Sequence, residues 1–169
     1  MTSSAQTRTV RRLTIDVDAP FDEFRARYEE AVPAYDLPSR LPQLSSWEAV
    51  VEDVERAAPD RGFVRLWTVE ASPAFSIAGH KARAVMYLMG NHAIAETMYR
   101  HDPGIMLYAP LRLCLYEDHD GGVHFAVDQP SDQFGSFGDP DITATGEMLD
   151  QKLAALFRGL GLAVPDSLI

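Results

Sequence analysis

The chain has 169 residues, of which 46% are apolar and 24% are charged, a composition that fits one globular domain with a substantial core. Its 25 acidic and 15 basic residues give a formal net charge of −10, which argues against nucleic acid or an anionic membrane surface as a partner, because both attract clustered Lys and Arg. No run of 18 apolar residues occurs, the start lacks an apolar secretory stretch, and the single cysteine has no internal disulfide partner, so we expect a cytoplasmic protein without a membrane span.

The first half of the chain predicts a tail, a strand and two helices. Residues 1–8 are predicted to be a flexible tail, and residues 9–169 a single domain. Imperfect alternation over Thr9–Asp16 indicates the first strand. A helix then begins at Pro20 and buries an aromatic stripe. A Pro-rich helical elaboration follows at about 33–58, and its second part has a capping box and a valine-rich stripe.

The second half of the chain predicts four strands, one internal helix and one terminal helix. Period-two patterns over Phe63–Glu70 and Arg83–Met89 indicate two strands. Asn91 is placed to cap a short helix. Met106–Glu117 and Val123–Asp128 predict a β-hairpin, and the last helix presents leucines on one face.

The predicted order of elements is β-α-α-β-β-α-β-β-α. Most connections are short, which favours antiparallel neighbours, and the helices are amphipathic. The sequence therefore predicts the α+β class, with an antiparallel or mixed sheet and amphipathic helices packed on one face.

The hairpin turn allows two registers. A two-residue loop, His119–Asp120, would place Asp128 on the same face as Leu113 and Leu115. A three-residue loop that ends with Gly121 in the left-handed conformation shifts every pair by one residue and collects the apolar side chains on one face. We favour the three-residue loop because it satisfies the burial pattern.

In the favoured register, the other face of the hairpin is polar. It carries Arg112 opposite Asp128 and Tyr116 opposite His124, with Cys114 between them. Unpaired charges there would be costly against the helices, so this face is expected to meet water, a partner subunit or a ligand. The simplest interpretation is a cross-strand ion pair on a solvated sheet.

Familiar catalytic motifs are absent from the sequence. Cys114 fits a structural thiol better than a nucleophile. His92 and His101 are nine residues apart and would lie on opposite sides of a helix, which does not suit a shared metal. Haem would need an axial ligand, for which His80, His92 and His101 are candidates that their spacing does not distinguish.

Two segments resemble a known family. Gly90–Ala95 (Gly-Asn-His-Ala-Ile-Ala) is similar to the Gly-Asn-Pro-x-hydrophobic-Ala helix start of domain-of-unknown-function family 302. Pro110–Asp118 (Pro-Leu-Arg-Leu-Cys-Leu-Tyr-Glu-Asp) is similar to the Pro-Cys-Arg/Asn-Val-x-Val-Tyr-Glu strand of the same family. The similarity spans about residues 60–130, and the last helix fits the usual continuation. It implies a small α+β fold that is often a dimer, without an established activity.

The chain departs from the family pattern at two positions. His92 stands where the family has proline, and Leu111 stands where it has cysteine. A thiol role at that family position therefore does not carry over to this chain, and Cys114, three residues further on, does not inherit it.

The preferred functional hypothesis is a domain that binds a small molecule or forms a homodimer without chemistry of its own, because the polar face lacks a set of nucleophile, base and orienting group. The alternative is an enzyme acting on a small anionic ligand. In that enzyme Arg112 would hold the anion, His124 would act as acid and base, Tyr116 would donate a hydrogen bond, and Asp128 would orient Arg112. Haem binding is a third hypothesis.

Asn91 and His92 complete the predicted ligand-binding residues. Both lie at a predicted helix N-terminus, where backbone N–H groups would be available to an anion. A plain helix cap is the simpler explanation of Asn91.

Overall fold

One sheet of five strands organises the fold in the computed structural model, which describes residues 3, 5–58 and 62–169. The strands are Arg12–Val17 (β1), Val64–Glu70 (β2), Ala84–Gly90 (β3), Leu111–Glu117 (β4) and Val123–Asp128 (β5). Their order across the sheet is β1-β5-β4-β3-β2, and every neighbouring pair is antiparallel.

Seven α-helices are present in the described part of the chain, and none of them is both long and apolar enough to cross a bilayer. They are Phe21–Ala31 (α1), Leu37–Arg40 (α2), Trp47–Ala57 (α3), Ser72–Ile77 (α4), His92–Tyr99 (α5), Pro130–Phe134 (α6) and Pro140–Gly159 (α7). The predicted α+β class is confirmed.

All elements of the predicted order are present, and three short helices, α2, α4 and α6, occur in addition to them. Each has four to six residues and a proline in its first turn. So short a segment cannot display a helical period in the sequence, and its proline resembles a chain break. The sequence patterns therefore predict connections for these segments.

The predicted strand Met106–Glu117 begins too early. Pro103–Leu107 form a 3-10 helix instead. The Asp102 carboxylate caps this helix by accepting a hydrogen bond from the Gly104 N–H at 2.7 Å. Strand β4 starts at Leu111, directly after a proline that has no N–H for a sheet ladder.

The two faces of the sheet differ in burial. One face is covered by helices and carries the main core, which includes Tyr28 of α1, Phe157 of α7 and the inward side chains of the strands. The outward side chains form what we call the open face, and those that compose it are half-buried or exposed. At the end of β2 Val64, which pairs with Gly90, is instead buried in a second cluster. The open face consists of Arg12, Thr14, Asp16, Trp67, Val69, Ala84, Met86, Leu88, Arg112, Cys114, Tyr116, His124, Ala126 and Asp128.

The predicted elaboration at about 33–58 contains α2 and α3 and packs through a second, smaller buried cluster that includes Tyr35 and Val54. The Tyr35 hydroxyl donates a hydrogen bond of 2.9 Å to Asp53. Of the predicted tail 1–8, residues 1, 2 and 4 lie outside the described residues, and the rest have neither helix nor strand.

Candidate functional site

The hairpin adopts the predicted three-residue register. Leu113 pairs with Val127 and Leu115 pairs with Phe125, so that the apolar side chains share the covered face. The loop closes with Gly121 at a φ of 86°, a left-handed conformation that favours glycine. The prediction of the register is confirmed, and it places Tyr116 opposite His124 on the open face.

His124 is held between two carboxylates. Its Nε2 lies 2.8 Å from Asp118 in the hairpin turn, and its Nδ1 lies 2.9 Å from Asp16 on β1. The hydrogen bond with Asp118, and then that with Asp16, raises the pKa of His124, and the same imidazole lowers the pKa of Asp118. Both ring nitrogens are occupied, which favours a structural role over the predicted acid–base role.

Arg112 and Asp128 share a hollow on the open face without pairing. The hollow has a volume of about 280 Å³ and is also lined by Arg12, Met86 and Cys114. The cation within ion-pair distance of Asp128 is Arg12, at 3.9 Å. Among the described residues no ion pair joins Arg112 to Asp128. Burial raises the pKa of the Cys114 thiol, which disfavours a thiolate nucleophile.

Asn91 and His92 lie away from the open face, at the start of α5. The Asn91 side-chain oxygen accepts hydrogen bonds from the Ala93 N–H at 2.9 Å and the Ile94 N–H at 3.3 Å, and its amide donates to the Gly62 carbonyl at 2.8 Å. Asn91 thus caps the helix and takes two of the backbone donors that an anion would use. The six predicted ligand residues therefore do not converge on one site.

A small cavity, which we call the motif cavity, lies where the segments Gly90–Ala95 and Pro110–Asp118 meet. A Cβ atom on Gly90 would lie 3.4 Å from the Pro110 Cβ, so the two segments approach closely. The cavity has a volume of about 60 Å³. Its lining is Phe63, Leu66, Gly90, Asn91, His92, Ile94, Ala95, Met98, Met106, Ala109, Pro110, Leu111, Phe134 and Leu149.

His92 is the unusual member of this lining. Its Nδ1 is buried and has no hydrogen-bond partner. Among the described side chains, no other buried nitrogen or oxygen atom lacks a partner. Burial lowers the pKa of His92, so the ring is neutral at pH 7. Both departures from the family pattern, His92 and Leu111, line the motif cavity. Sequence reasoning named His92 but could not place Leu111 beside it.

A third cluster, which sequence reasoning missed, joins His101 to Asp139 and Asp141. The two ring nitrogens of His101 lie 3.6 Å from Asp139 and 3.7 Å from Asp141. The Asp139 carboxylate also caps α7 by accepting hydrogen bonds from two backbone N–H groups. These residues are at or near the surface, and helix capping accounts for the position of Asp139.

The fold and these sites define a small α+β domain with one covered and one open sheet face. The model of the family DUF302, a domain of unknown function, matches residues 40–159, and the chain belongs to this family. The predicted resemblance is thereby confirmed.

A solved structure supports the fold. The chain is similar to an uncharacterised conserved DUF302 protein from Bacillus stearothermophilus, for which there is a crystal structure. The two sequences are 17% identical, the match covers 88% of this chain and 97% of the other, and the TM-score is 0.63. At this identity the likeness shows the fold alone. No curated protein matches the chain.

Proposed function

We propose that this protein is a dimer-forming domain in which the open faces of two copies pack against each other. The observation that carries the proposal is an apolar strip along β2 and β3, in which Trp67 and Val69 are exposed and Met86 and Leu88 are half-buried. Trp67 leaves 63% of its surface exposed. A contiguous apolar patch of this kind is typical of an interaction surface.

Charge on the rest of the open face indicates how the two copies are oriented. Arg12, Arg112 and Asp128 lie at one end of their strands, and Asp16 and His124 lie at the other end. Consider a two-fold axis that lies in the plane of the interface, perpendicular to the strands. This axis exchanges the two ends of the strands and places each strand over the same strand of the partner subunit.

This orientation is self-complementary. It places Arg12 over Asp16 of the partner subunit and Asp128 over His124 of the partner subunit, while the apolar strips meet each other. An axis parallel to the strands would instead place Arg112 over Arg112 of the partner subunit, and like charges in an interface are unfavourable. The first orientation is therefore the one we propose, with the approximately aligned strands of packed sheets.

The size of the open face is sufficient for a modest interface. Five strands about 4.8 Å apart, each with six or seven residues rising about 3.3 Å, give a flat footprint of roughly 500 Å². Side-chain relief makes the accessible area larger than this, so the face approaches the roughly 800 Å² per partner of a standard interface. We expect association at micromolar concentration.

Sedimentation velocity at micromolar concentration tests the proposal. Wild type is expected to sediment as a dimer and Trp67→Lys as a monomer, because a charge would be buried in the apolar strip. Tyr99→Lys is the matched control, since Tyr99 leaves 48% of its surface exposed on α5, away from the open face. A monomeric wild type, or a Trp67→Lys protein that remains dimeric, contradicts the proposal.

Charge reversal at Arg12 tests the orientation. Arg12→Asp is expected to weaken the dimer, because the new carboxylate would lie over the acidic Asp16 of the partner subunit. Arg158→Asp, which changes the net charge equally on the exposed side of α7, is expected to leave the dimer unchanged. Equal weakening by the two variants indicates general repulsion and contradicts the orientation.

A second candidate function, anion binding by Arg112, is favoured by the lack of any ion-pair partner for this side chain among the described residues. Thermal shift with inorganic phosphate distinguishes the two. Anion binding predicts a phosphate-dependent stabilisation that Arg112→Gln removes and Arg158→Gln retains. The dimer proposal predicts no such difference.

A further inference from the structure

A pocket of about 500 Å³, which we call the arginine pocket, lies at one end of the open face. Arg112 and Leu88 line it from the open face, and Met106 and Tyr108 line it from the segment that leads into β4. Arg8, which precedes β1, is also part of the lining. The volume is more than three times that of the roughly 150 Å³ cavity that holds a benzene molecule. A small organic molecule therefore fits.

The N-terminal segment is attached to the domain on both sides of Arg8. The Arg8 guanidinium lies over the Tyr108 ring, 4.0 Å from the ring centre. Gln6 donates a hydrogen bond of 2.9 Å to the Ser136 carbonyl, and the Arg11 N–H donates one of 2.8 Å to an aspartate of α6. A guanidinium stacked on an aromatic face keeps the N–H groups at its edge free to donate. Arg8 is therefore positioned as a wall of the pocket with donors available.

The two arginines of this pocket differ from most others in the chain. The arginines within ion-pair distance of a carboxylate are Arg11, Arg12, Arg25, Arg27, Arg40, Arg56, Arg65, Arg83 and Arg100. Of the arginines that the structure describes, Arg8, Arg112 and Arg158 have no such partner, and two of these three line the same pocket. Carboxylates are abundant in a chain with a net charge of −10, so this pair of guanidiniums without one favours an anion from outside the chain.

The acidic residue of the lining does not cancel this charge. Asp128 lines the pocket, but it also lies 3.9 Å from Arg12, which is outside the lining. The charge of Asp128 is thus offset by Arg12, and Arg8 and Arg112 give the pocket a net positive charge. A guanidinium presents a planar fork of N–H donors that matches the two oxygens of a carboxylate.

Apolar side chains form much of the remaining wall. Met106, Leu107 and Pro110 line the pocket on the side away from the sheet. Leu107 leaves 75% of its surface exposed, and Met106 leaves 52% exposed. An inorganic anion would leave these side chains in water, whereas an apolar group attached to the anion would cover them, which is favourable. Apolar walls with a few polar groups that fix orientation are typical of small-molecule pockets.

We propose that the arginine pocket binds an organic monocarboxylate, whose carboxylate pairs with Arg112 and Arg8 and whose apolar body covers Met106 and Leu107. This proposal rests on the second candidate function, anion binding by Arg112, and names the chemical class of the anion. It is a binding site, in which no covalent bond forms or breaks.

Hexanoate is a suitable probe, because acetate has its charge without the apolar body and 1-hexanol has the body without the charge. In a titration followed by backbone amide NMR, hexanoate is expected to cause saturable shifts at residue 8 and in the range 106–112. Acetate and 1-hexanol are each expected to bind at least tenfold more weakly. Equal binding of acetate overturns the role of the apolar walls, equal binding of 1-hexanol overturns the role of the arginines, and shifts confined to other residues overturn the site.

Variants of the lining separate the two parts of the proposal. Arg112→Gln is expected to weaken hexanoate binding at least tenfold and Arg8→Gln about fivefold, whereas Arg158→Gln, with the same change of charge on the exposed side of α7, leaves it unchanged. Met106→Gln is expected to weaken binding of hexanoate but not of acetate. Unchanged binding in Arg112→Gln overturns anion binding itself. If Arg112→Gln weakens both probes and Met106→Gln weakens neither, anion binding stands and the proposed ligand class is overturned.

The monomeric variant separates this site from the dimer. Arg112 and Leu88 belong to the open face, which the partner subunit covers in the proposed dimer. Trp67→Lys, which is expected to be monomeric, should therefore bind hexanoate at least as tightly as wild type. Sedimentation reports the dimer and NMR reports the ligand, so failure of one proposal is distinguishable from failure of the other. Loss of hexanoate binding in a folded Trp67→Lys protein overturns a pocket that is formed within one subunit.

Discussion

His124 Nε2 lies 2.8 Å from Asp118 across the hairpin turn, and His124 Nδ1 lies 2.9 Å from Asp16 on the edge strand β1. One imidazole thus ties together three segments of the chain. Gly122 leaves room for this contact, because a Cβ there would lie 2.8 Å from the Asp118 carboxylate. Protonated His124 therefore adds an electrostatic link between β1 and the hairpin to the backbone ladder that pairs β1 with β5.

The free energy of unfolding should fall as pH rises through the pKa of His124. That pKa is raised above its ordinary value of 6.5 in the folded protein, so the contribution of the bridge is complete below pH 6.5 and is lost above the folded pKa. The pKa of Asp118 is lowered by the same contact. Ionised Asp118 therefore adds to the free energy of unfolding, and this contribution is lost as the pH falls below the ordinary pKa of an aspartate. Urea unfolding over this pH range is the measurement.

His124→Gln should flatten the alkaline part of this pH profile. His119→Gln is the control, because His119 is exposed at the tip of the same turn. If both variants keep the wild-type profile, the bridge does not contribute to stability.

The proposed dimer orientation buries the two copies of Cys114 between the sheets. Cys114 lies in the middle of β4, close to the proposed two-fold axis. Trp67→Lys, which is expected to be monomeric, should therefore react faster with a monofunctional maleimide than wild type, and Tyr99→Lys should react at the wild-type rate. Mass spectrometry of the alkylated protein over time is the measurement. Equal rates for Trp67→Lys and wild type contradict the burial of Cys114 in the interface.

Asp150 should be among the side chains most costly to remove. It is buried in α7 and accepts hydrogen bonds from the Gln129 amide at 2.6 Å, the Ser131 hydroxyl at 2.6 Å and the Ser131 N–H at 3.0 Å. Asp150→Ala removes the acceptor that these donors share and should cost about 2–4 kcal/mol of unfolding free energy. Glu147→Ala, one turn earlier on the exposed side, should change it by less than about 0.5 kcal/mol.

Two glycines of α7 should respond in opposite directions to alanine. A Cβ on Gly146 would lie 3.1 Å from the Phe134 Cβ and 3.2 Å from the Ser131 Cα, whereas a Cβ on Gly159 would meet nothing within 4 Å. Gly146→Ala should therefore destabilise the protein by about 1–3 kcal/mol. Gly159→Ala should stabilise it by up to about 1 kcal/mol through helix propensity. Thermal unfolding of both variants checks the contrast. A Gly146→Ala protein that is more stable than wild type would show that α6 shifts to make room for the added methyl group.

The sequence predicts local features well where a short period or a turn residue decides them. Alternation of apolar residues predicts the covered face of β4 and β5, and Gly121 predicts the three-residue loop and the register. Both depend on neighbours within a few residues along the chain. The short helices α2, α4 and α6 escape this reasoning, because one helical turn has no detectable period.

The partner of Asp128 could not be predicted in the same way. The hairpin pattern favours Arg112, but β1 pairs with β5 and brings Arg12 within 3.9 Å of Asp128. That pairing closes a loop of more than one hundred residues, and no local pattern encodes it. The neighbours of a surface charge are therefore decided by sheet order.

By itself the sequence determined the α+β class, the hairpin register, the polar face of the hairpin and the resemblance to the family. Only the tertiary structure decided that the two family segments enclose a cavity, whose walls extend from Phe63 to Leu149. It also separated Asn91 and His92 from the other four predicted ligand residues. The reason is physical: periodicity tells which side of an element is buried, whereas a site depends on which distant elements pack there.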